Sequence, residues 1–346
     1  MTEKEMLRLM GYNLNGGRFL PTVGDTPKIA MDAALQTVAN VMVPQLFATW
    51  YSPEVVEILQ SPTNSTEIFG EEKRGDWKDT VTMFPVSERV GKTTAYTDFG
   101  RGPTSDANIE FVQRDTYKFM TFIQCGDLEQ ELTAGAKINL LSEKQGAAAQ
   151  TIALDSNSFN LFGVAGYNIV GLLNDPALPA AIDPASVSDG ASSTTMAWAD
   201  KTAVQIYNDV LALFNQISKL AGGYVKYNTP MILAVPPSVQ GELAKVTDLG
   251  VAPNMEALTK YFPGLKLVVL PQLEDEDGVA SAMLIVPEIA GKKTGTFGFL
   301  EKLRTSRVVL EHTSMSQKWS SSTTGALIFR PFAVATMTGI QKTDGD

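Results

Sequence analysis

Thr80 to Ile123 reads TVTMFPVSERVGKTTAYTDFGRGPTSDANIEFVQRDTYKFMTFI. Two β-prone runs, TVTMFPVSERVGKTTAYTDF and ANIEFVQRDTYKFMTFI, flank GRGPTSD, whose glycines, proline, serine and aspartate are turn formers. The stretch predicts one long hairpin over residues 79–122. Its alternation is partial and both faces read as polar, with Glu88, Arg89, Lys92, Asp98, Arg114, Asp115 and Lys118 spread along it. A two-stranded ribbon buries little of itself, and an isolated hairpin is marginal in water. The ribbon is therefore expected to lie on another subunit.

Downstream, the period becomes helical at Asp127. Asp127 is expected as the N-cap after Gly126, with Glu129 and Glu131 at the positive end of the helix dipole. Leu128, Leu132, Ile138, Leu141, Ala148, Ile152, Phe159 and Phe162 form a broad apolar stripe, interrupted by the weak helix formers Gly135 and Gly146. Unbroken from Asp127 to Phe162, such a helix would reach roughly 54 Å at about 1.5 Å per residue. That length predicts an extended, plate-like subunit. An apolar turn punctuated by glycine, GYNIVGLLNDP from Gly166 to Pro176, follows directly.

After a loop rich in Ser, Ala, Asp and Gly comes an amphipathic helix over residues 201–220, with Asp200 as its expected cap and Gly222-Gly223 as its stop. Ala203, Tyr207, Val210, Phe214, Ile217 and Ala221 recur at three- and four-residue steps. PMILAVP, LKLVVLP and AMLIVPE read as buried strands, with short helices over 238–246 and 254–262 between them. The β-prone runs after residue 300 are expected to return to the first module, which makes this α/β module an insertion.

Upstream, residues 1–65 show low periodicity, with one expected helix from Lys28 to Ala48 kinked at Pro44. In the first fifty residues Lys4, Arg8, Arg18 and Lys28 are matched by Glu3, Glu5, Asp25 and Asp32, so the segment reads as an extended packing arm rather than a basic arm for nucleic acid. Asn64-Ser65-Thr66 fits a glycosylation acceptor, but no secretory signal supports it.

Composition narrows the function classes. Of 346 residues, 44% are hydrophobic, enough for a real core, and a net charge of −10 opposes sequence-independent attachment to phosphate backbones. The single cysteine, Cys125, excludes an intramolecular disulfide and suits a reducing compartment. No window reaches eighteen consecutive apolar residues. These features point to a soluble protein that stays where it is made.

Chemical constellations are missing. His312 is the only histidine and has no partner for a nucleophile pair or a zinc site, so it reads as a structural or surface residue. Cys125 ends the apolar run FMTFIQC and reads as buried packing. Gly91-Lys92-Thr93-Thr94 lacks the earlier glycine of a phosphate loop, because Val86 stands there, and the sequence from Gly291 fails likewise at Val286. Glu274-Asp275-Glu276-Asp277 before Gly278 cannot close a calcium loop, since Val286 holds the closing position; it reads as a solvated turn. The neighbours Glu71-Glu72 and Glu129-Glu131 read as charged surface. No catalytic, cofactor or metal residues are assigned.

The order of arm, long hairpin, long helix, Gly171-Leu172-Leu173-Asn174 turn, inserted α/β module and returning strands resembles the HK97-type major capsid proteins of tailed bacteriophages, over essentially the whole chain. The resemblance implies an α+β fold: an N-terminal arm over 1–65; a P domain over 66–165 with an E-loop hairpin at 79–122 and a spine helix at 127–162; an A domain over 166–299; and returning P-domain strands over 300–346. After a rigid spine the chain must reverse tightly. Gly166 and Gly171 are expected to relieve backbone strain there, while Ile169, Val170, Leu172 and Leu173 anchor the turn beside Asn174.

It further implies a structural, non-enzymatic head subunit that self-assembles into hexamers and pentamers of an icosahedral shell around double-stranded DNA, held without sequence-specific binding. Scaffolding, portal and decoration proteins are implied partners, no membrane is, and the location is the virion after assembly in the host cytoplasm. Arg89, Lys92, Arg101 and Arg114 are the candidate inter-subunit contacts. Some relatives join a hairpin lysine to a neighbour's asparagine. Lys92 is the candidate lysine, but the strands after residue 300 contain no asparagine, a departure from that chemistry. Two further readings stay open: an encapsulin-like compartment shell, and a soluble hydrolase or carbohydrate-binding protein.

Overall fold

The computed structural model describes residues 63–135, 139–188, 194–246, 253–275 and 278–341. The expected arm over 1–65 lies outside them apart from its last three residues, as do the Lys28–Ala48 helix, Ile138 and Glu276-Asp277.

The hairpin forms from strands Val81–Val90 and Asp106–Asp115, antiparallel and in continuous register from Val81 opposite Asp115 to Val90 opposite Asp106. Among the described residues these two strands pair only with each other. After the single residue Thr116 the chain enters Tyr117–Gly126, which pairs along its whole length with Ser314–Thr323. Sequence-distant runs thus share one sheet, and Arg304–Thr305 and Val309–Leu310 line the far edge of Ser314–Thr323.

One face of the paired long strands covers the long helix. Period-two alternation puts Phe119, Ile123 and Cys125 on that side, all buried. Phe159 of the helix meets the rings of Phe119 and Tyr117 edge-on at 5.0 and 5.4 Å. The expected unbroken helix is instead two segments, Asp127–Gly135 and Leu140–Phe162. Asn139 is described and lies outside both segments, so the helix is not continuous from Asp127 to Phe162. The stripe is divided with it. Ala148 and Ile152 are buried, whereas Leu128 and Leu132 stand 69% exposed, because a broken helix does not carry one apolar face across the break. Asp127 is the first helical residue rather than the cap. Gly126 occupies the capping position, and its N–H donates to Glu129 Oε2 at 3.5 Å.

The middle sheet has the order Val334–Thr338, Ser281–Ile285, Met231–Val235, Leu265–Val269. Only the last pair is parallel. The central strand Met231–Val235 is apolar and buried at every position because both its faces are covered. Met231, Leu233 and Val235 face a core built on helix Ala203–Leu220, with Ile206, Leu213 and Ile217. Ile232 and Ala234 face a second core holding Leu161, Leu172, Phe69 and Phe297.

Two boundaries shift. Val334–Thr338, expected among the returning strands, is an edge of the middle sheet. Gly295–Phe299, expected inside the insertion, pairs with Glu71–Lys73 and Gly325–Ile328. Alternation identifies strands but carries no information about their partners.

The cap of helix Ala203–Leu220 is also different from the expected one. Thr202 stands at the cap, where its N–H donates to Gln205 Oε1 at 2.8 Å, while Asp200 accepts a bond from Thr195 Oγ1. Gly222 and Gly223 stop the helix, both at positive φ. Beneath its first turns Lys201 and Asp209 form a fully buried ion pair at 2.6 Å, and Trp198 Nε1 donates to the same carboxylate.

Candidate assembly interface

The ribbon has two unlike faces. Residues opposite each other share a side, so Met83, Pro85, Ser87 and Arg89 lie with Gln113, Phe111, Ile109 and Ala107. The other side carries Phe84, Val86, Glu88 and Val90 with Val112, Glu110, Asn108 and Asp106. Both faces carry charge, as expected: Arg89 and Asp115 lie on the first side, and Glu88, Asp106, Glu110 and Arg114 on the second. On the first, Met83, Ile109 and Phe111 are each more than 60% exposed. An isolated chain does not gain from holding such side chains in water.

Among the described residues only the base of the ribbon is fastened. Asn168, in the turn after the long helix, donates through Nδ2 to the Gln113 carbonyl and through its N–H to Asp115 Oδ2, both at 2.9 Å. Its Oδ1 accepts a bond from Arg114 Nη1 at 3.1 Å. Phe84 meets Phe329 edge-on at 5.9 Å.

Of the four expected contact residues, Arg114 is therefore engaged within its own chain. Arg89 lies on the apolar side, and Lys92 and Arg101 lie in the connection between the strands, all exposed. None of these three makes a hydrogen bond or ion pair among the described residues.

The turn is built in the opposite manner. A Cβ on Gly171 would overlap the Leu161 carbonyl and the Phe162 nitrogen, so only glycine fits. The N–H groups of Leu172 and Leu173 donate to the carbonyls of Asn160 and Leu161 at 3.0 and 2.9 Å, which closes the end of the helix. Asn174 Oδ1 accepts from the Gly171 N–H at 2.7 Å, and its Nδ2 donates to the Phe162 carbonyl. Leu172 is fully buried, while Gly166 lies at positive φ with open space around it. Gly325, from the returning strands, abuts the same turn: a Cβ there would lie 2.5 Å from the Val170 carbonyl oxygen. Gly325 and Asn168 escaped sequence reasoning. An asparagine inside a glycine-punctuated turn was the one available signal.

Charged groups elsewhere serve local structure. Lys293, helped by Arg74, hydrogen-bonds Glu72 and holds its carboxyl below the usual range. Lys144 does the same for Glu129, against a smaller opposing effect of burial. Cys125 is buried, as expected, and His312 is exposed beyond the short strand Val309–Leu310. Among the described residues no three His, Cys, Asp or Glu side chains are grouped to hold a metal ion.

A folded body with a fastened but uncovered ribbon and returning strands is the architecture of HK97-type capsid proteins. The capsid of Myoviridae phage XM1 is similar at a TM-score of 0.71 and 12% identity, covering 87% of this chain and 99% of that one. The capsid of a native GTA particle gives 0.58 at 14% identity over 89% and 99%. Mycobacterium phage Bobi gives 0.55 at 13% over 85% and 95%. No curated protein matches the sequence. The model of the Pa193 gp26 major capsid protein family matches residues 34–339, and the chain belongs to that family. It is a structural capsid protein of the virion.

Proposed function

We propose that this chain is the repeating shell subunit of an icosahedral head, arranged in hexamers and pentamers around confined double-stranded DNA and assembled in the host cytoplasm. Its work is mechanical rather than catalytic. The observation that carries this reading is the ribbon, whose Met83, Ile109 and Phe111 side chains stand exposed on strands that, among the described residues, pair with nothing but each other. A neighbouring copy that covers this side removes apolar area from water and completes the subunit. Repeated contacts between unlike surfaces close into rings. Arg89, Lys92 and Arg101 supply polar register at the ribbon and its connection, and Arg114 supports the base.

The net charge of −10 fits a container that holds DNA without gripping it, so that filling and release are not impeded. Scaffolding, portal and decoration proteins are the further partners of such a shell. Electron microscopy of the purified full-length chain tests the reading. Closed shells are expected, and small soluble oligomers at every concentration would overturn it.

A further inference from the structure

We propose that Asp209 is a latch that fixes where two surface limbs, residues 183–188 and 194–201, lie on the α/β module. Its buried pair with Lys201 sets the placement of the limbs rather than the stability of the module. The inference concerns the subunit itself and stands apart from the shell-subunit reading.

The limbs have little regular structure of their own. The outgoing limb reads Asp183-Pro184-Ala185-Ser186-Val187-Ser188, with no apolar period, and Asp183, Ala185 and Ser186 are exposed. Val187 pairs with Thr195 and Ser188 with Thr194, and the return limb adds one helical turn at Trp198–Asp200. Each limb has a separate tether. Just before the outgoing limb, the Ile182 N–H donates to the Thr336 carbonyl at 2.9 Å, and its carbonyl accepts from the Thr338 N–H at 3.2 Å. On the return limb, Lys245 Nζ donates to the carbonyls of Trp198, Ala199 and Lys201 at 2.8, 2.6 and 3.1 Å.

Among the described residues only the Asp209 side chain bonds both limbs. Its Oδ1 accepts the Ala185 N–H of the outgoing limb at 3.1 Å. Its Oδ2 accepts Trp198 Nε1 at 3.0 Å and Lys201 Nζ at 2.6 Å, both from the return limb. Asp209 stands on helix Ala203–Leu220 beside the core residues Ile206, Val210 and Leu213, and the side chains of Lys201 and Asp209 are 0% and 2% exposed. Burial strips both charges of water, and their attraction offsets that loss only in part. Exchanging such a pair for apolar residues of similar size is therefore often neutral, whereas removing one partner leaves a charge unpaired in the core. Position is another matter. A carboxylate accepts only from donors at a set distance and angle, while an apolar contact tolerates sliding. One carboxylate that takes donors from two limbs thus fixes the register of both.

Three variants of the full-length chain test this: Lys201→Met, Asp209→Leu and the two together. Each single variant is expected to melt several degrees below the parent, and the double variant within about 2 °C of it. Hydrogen exchange resolved to single amides then separates placement from stability. In the double variant the Ala185 amide should exchange at least about tenfold faster, while the Ile182 amide, bonded to the sheet edge, keeps the parent's rate. A double variant that melts as low as the single ones would overturn the proposal, because the pair would then be a source of stability. An unchanged Ala185 rate would overturn it as well, and so would equal acceleration at Ala185 and Ile182, which marks general loosening. If a single variant fails to fold, the double variant alone decides by the same two readouts.

Discussion

The turn after the long helix and the ribbon are joined by one residue, Asn168, yet they are stabilised in opposite ways. The turn is closed by its own chain: Gly171 lies against the helix end, Asn174 bonds both sides of the reversal, and Leu161 and Leu172 are fully buried. Each such leucine contributes about 1.5–3 kcal/mol. The ribbon has a complete ladder of its own but exposes Met83, Ile109 and Phe111 on one side, and on the other Val86 and Val90 beside acids that have no cationic partner among the described residues. One region belongs to the fold of the subunit and the other to the fold of the assembly. Disturbing the turn should unfold the chain, and disturbing the ribbon should leave it folded and alone.

The largest effect on the chain is expected from Gly171→Ala. Its methyl group has backbone on the far side and cannot be accommodated by a rotamer change, so a loss on the order of 3 kcal/mol or more is expected. Thermal melting checks this, and a melting temperature equal to the parent's would break the contrast between the two regions.

A smaller, pH-dependent effect is expected at Glu72, on a strand beside the turn's core. The Lys293 hydrogen bond and the Arg74 charge lower its folded pKa below 4.5. The ionised group thus stabilises the fold above that value and ceases to do so as pH falls through the lowered one. Glu72→Gln should remove part of the fall in melting temperature on acidification below the ordinary carboxylate range. An identical fall in both proteins would remove Glu72 from the account.

The smallest effect on the isolated chain is expected from Phe111→Ser on the apolar side of the ribbon. Stability should change by no more than about 0.5 kcal/mol by melting, while shell formation is lost or strongly reduced by electron microscopy. A destabilised but assembling chain would reverse the roles given to ribbon and turn.

Much of the architecture was legible because its signals are local. The hairpin showed in its turn residues, the helix Ala203–Leu220 in its three- and four-residue steps, and the buried strands in their unbroken apolar runs. The errors also have local causes. Asp200 has a capping side chain, but Thr202 and Gln205 make the capping contacts. The apolar stripe from Leu128 to Phe162 assumed one continuous helix, whereas Asn139 lies outside both segments. At the candidate interface the residue types were visible and their sides were not. Arg89 and Glu88 are neighbours in the chain but lie on opposite faces, and Arg114 carries the right charge yet is held by Asn168.

The amino-acid order by itself determined where most helices, strands and turns lie, that no catalytic constellation was legible, and that a ribbon needing cover precedes a helical stretch. Those properties depend on periodicity and turn chemistry over a few residues. The tertiary structure alone decided that Val334–Thr338 closes the middle sheet, that Gly325 and Gly171 pack against one reversal, and which side of the ribbon is apolar. Each of these depends on strand register or on close approach of backbones far apart in sequence, and no local pattern encodes the partner.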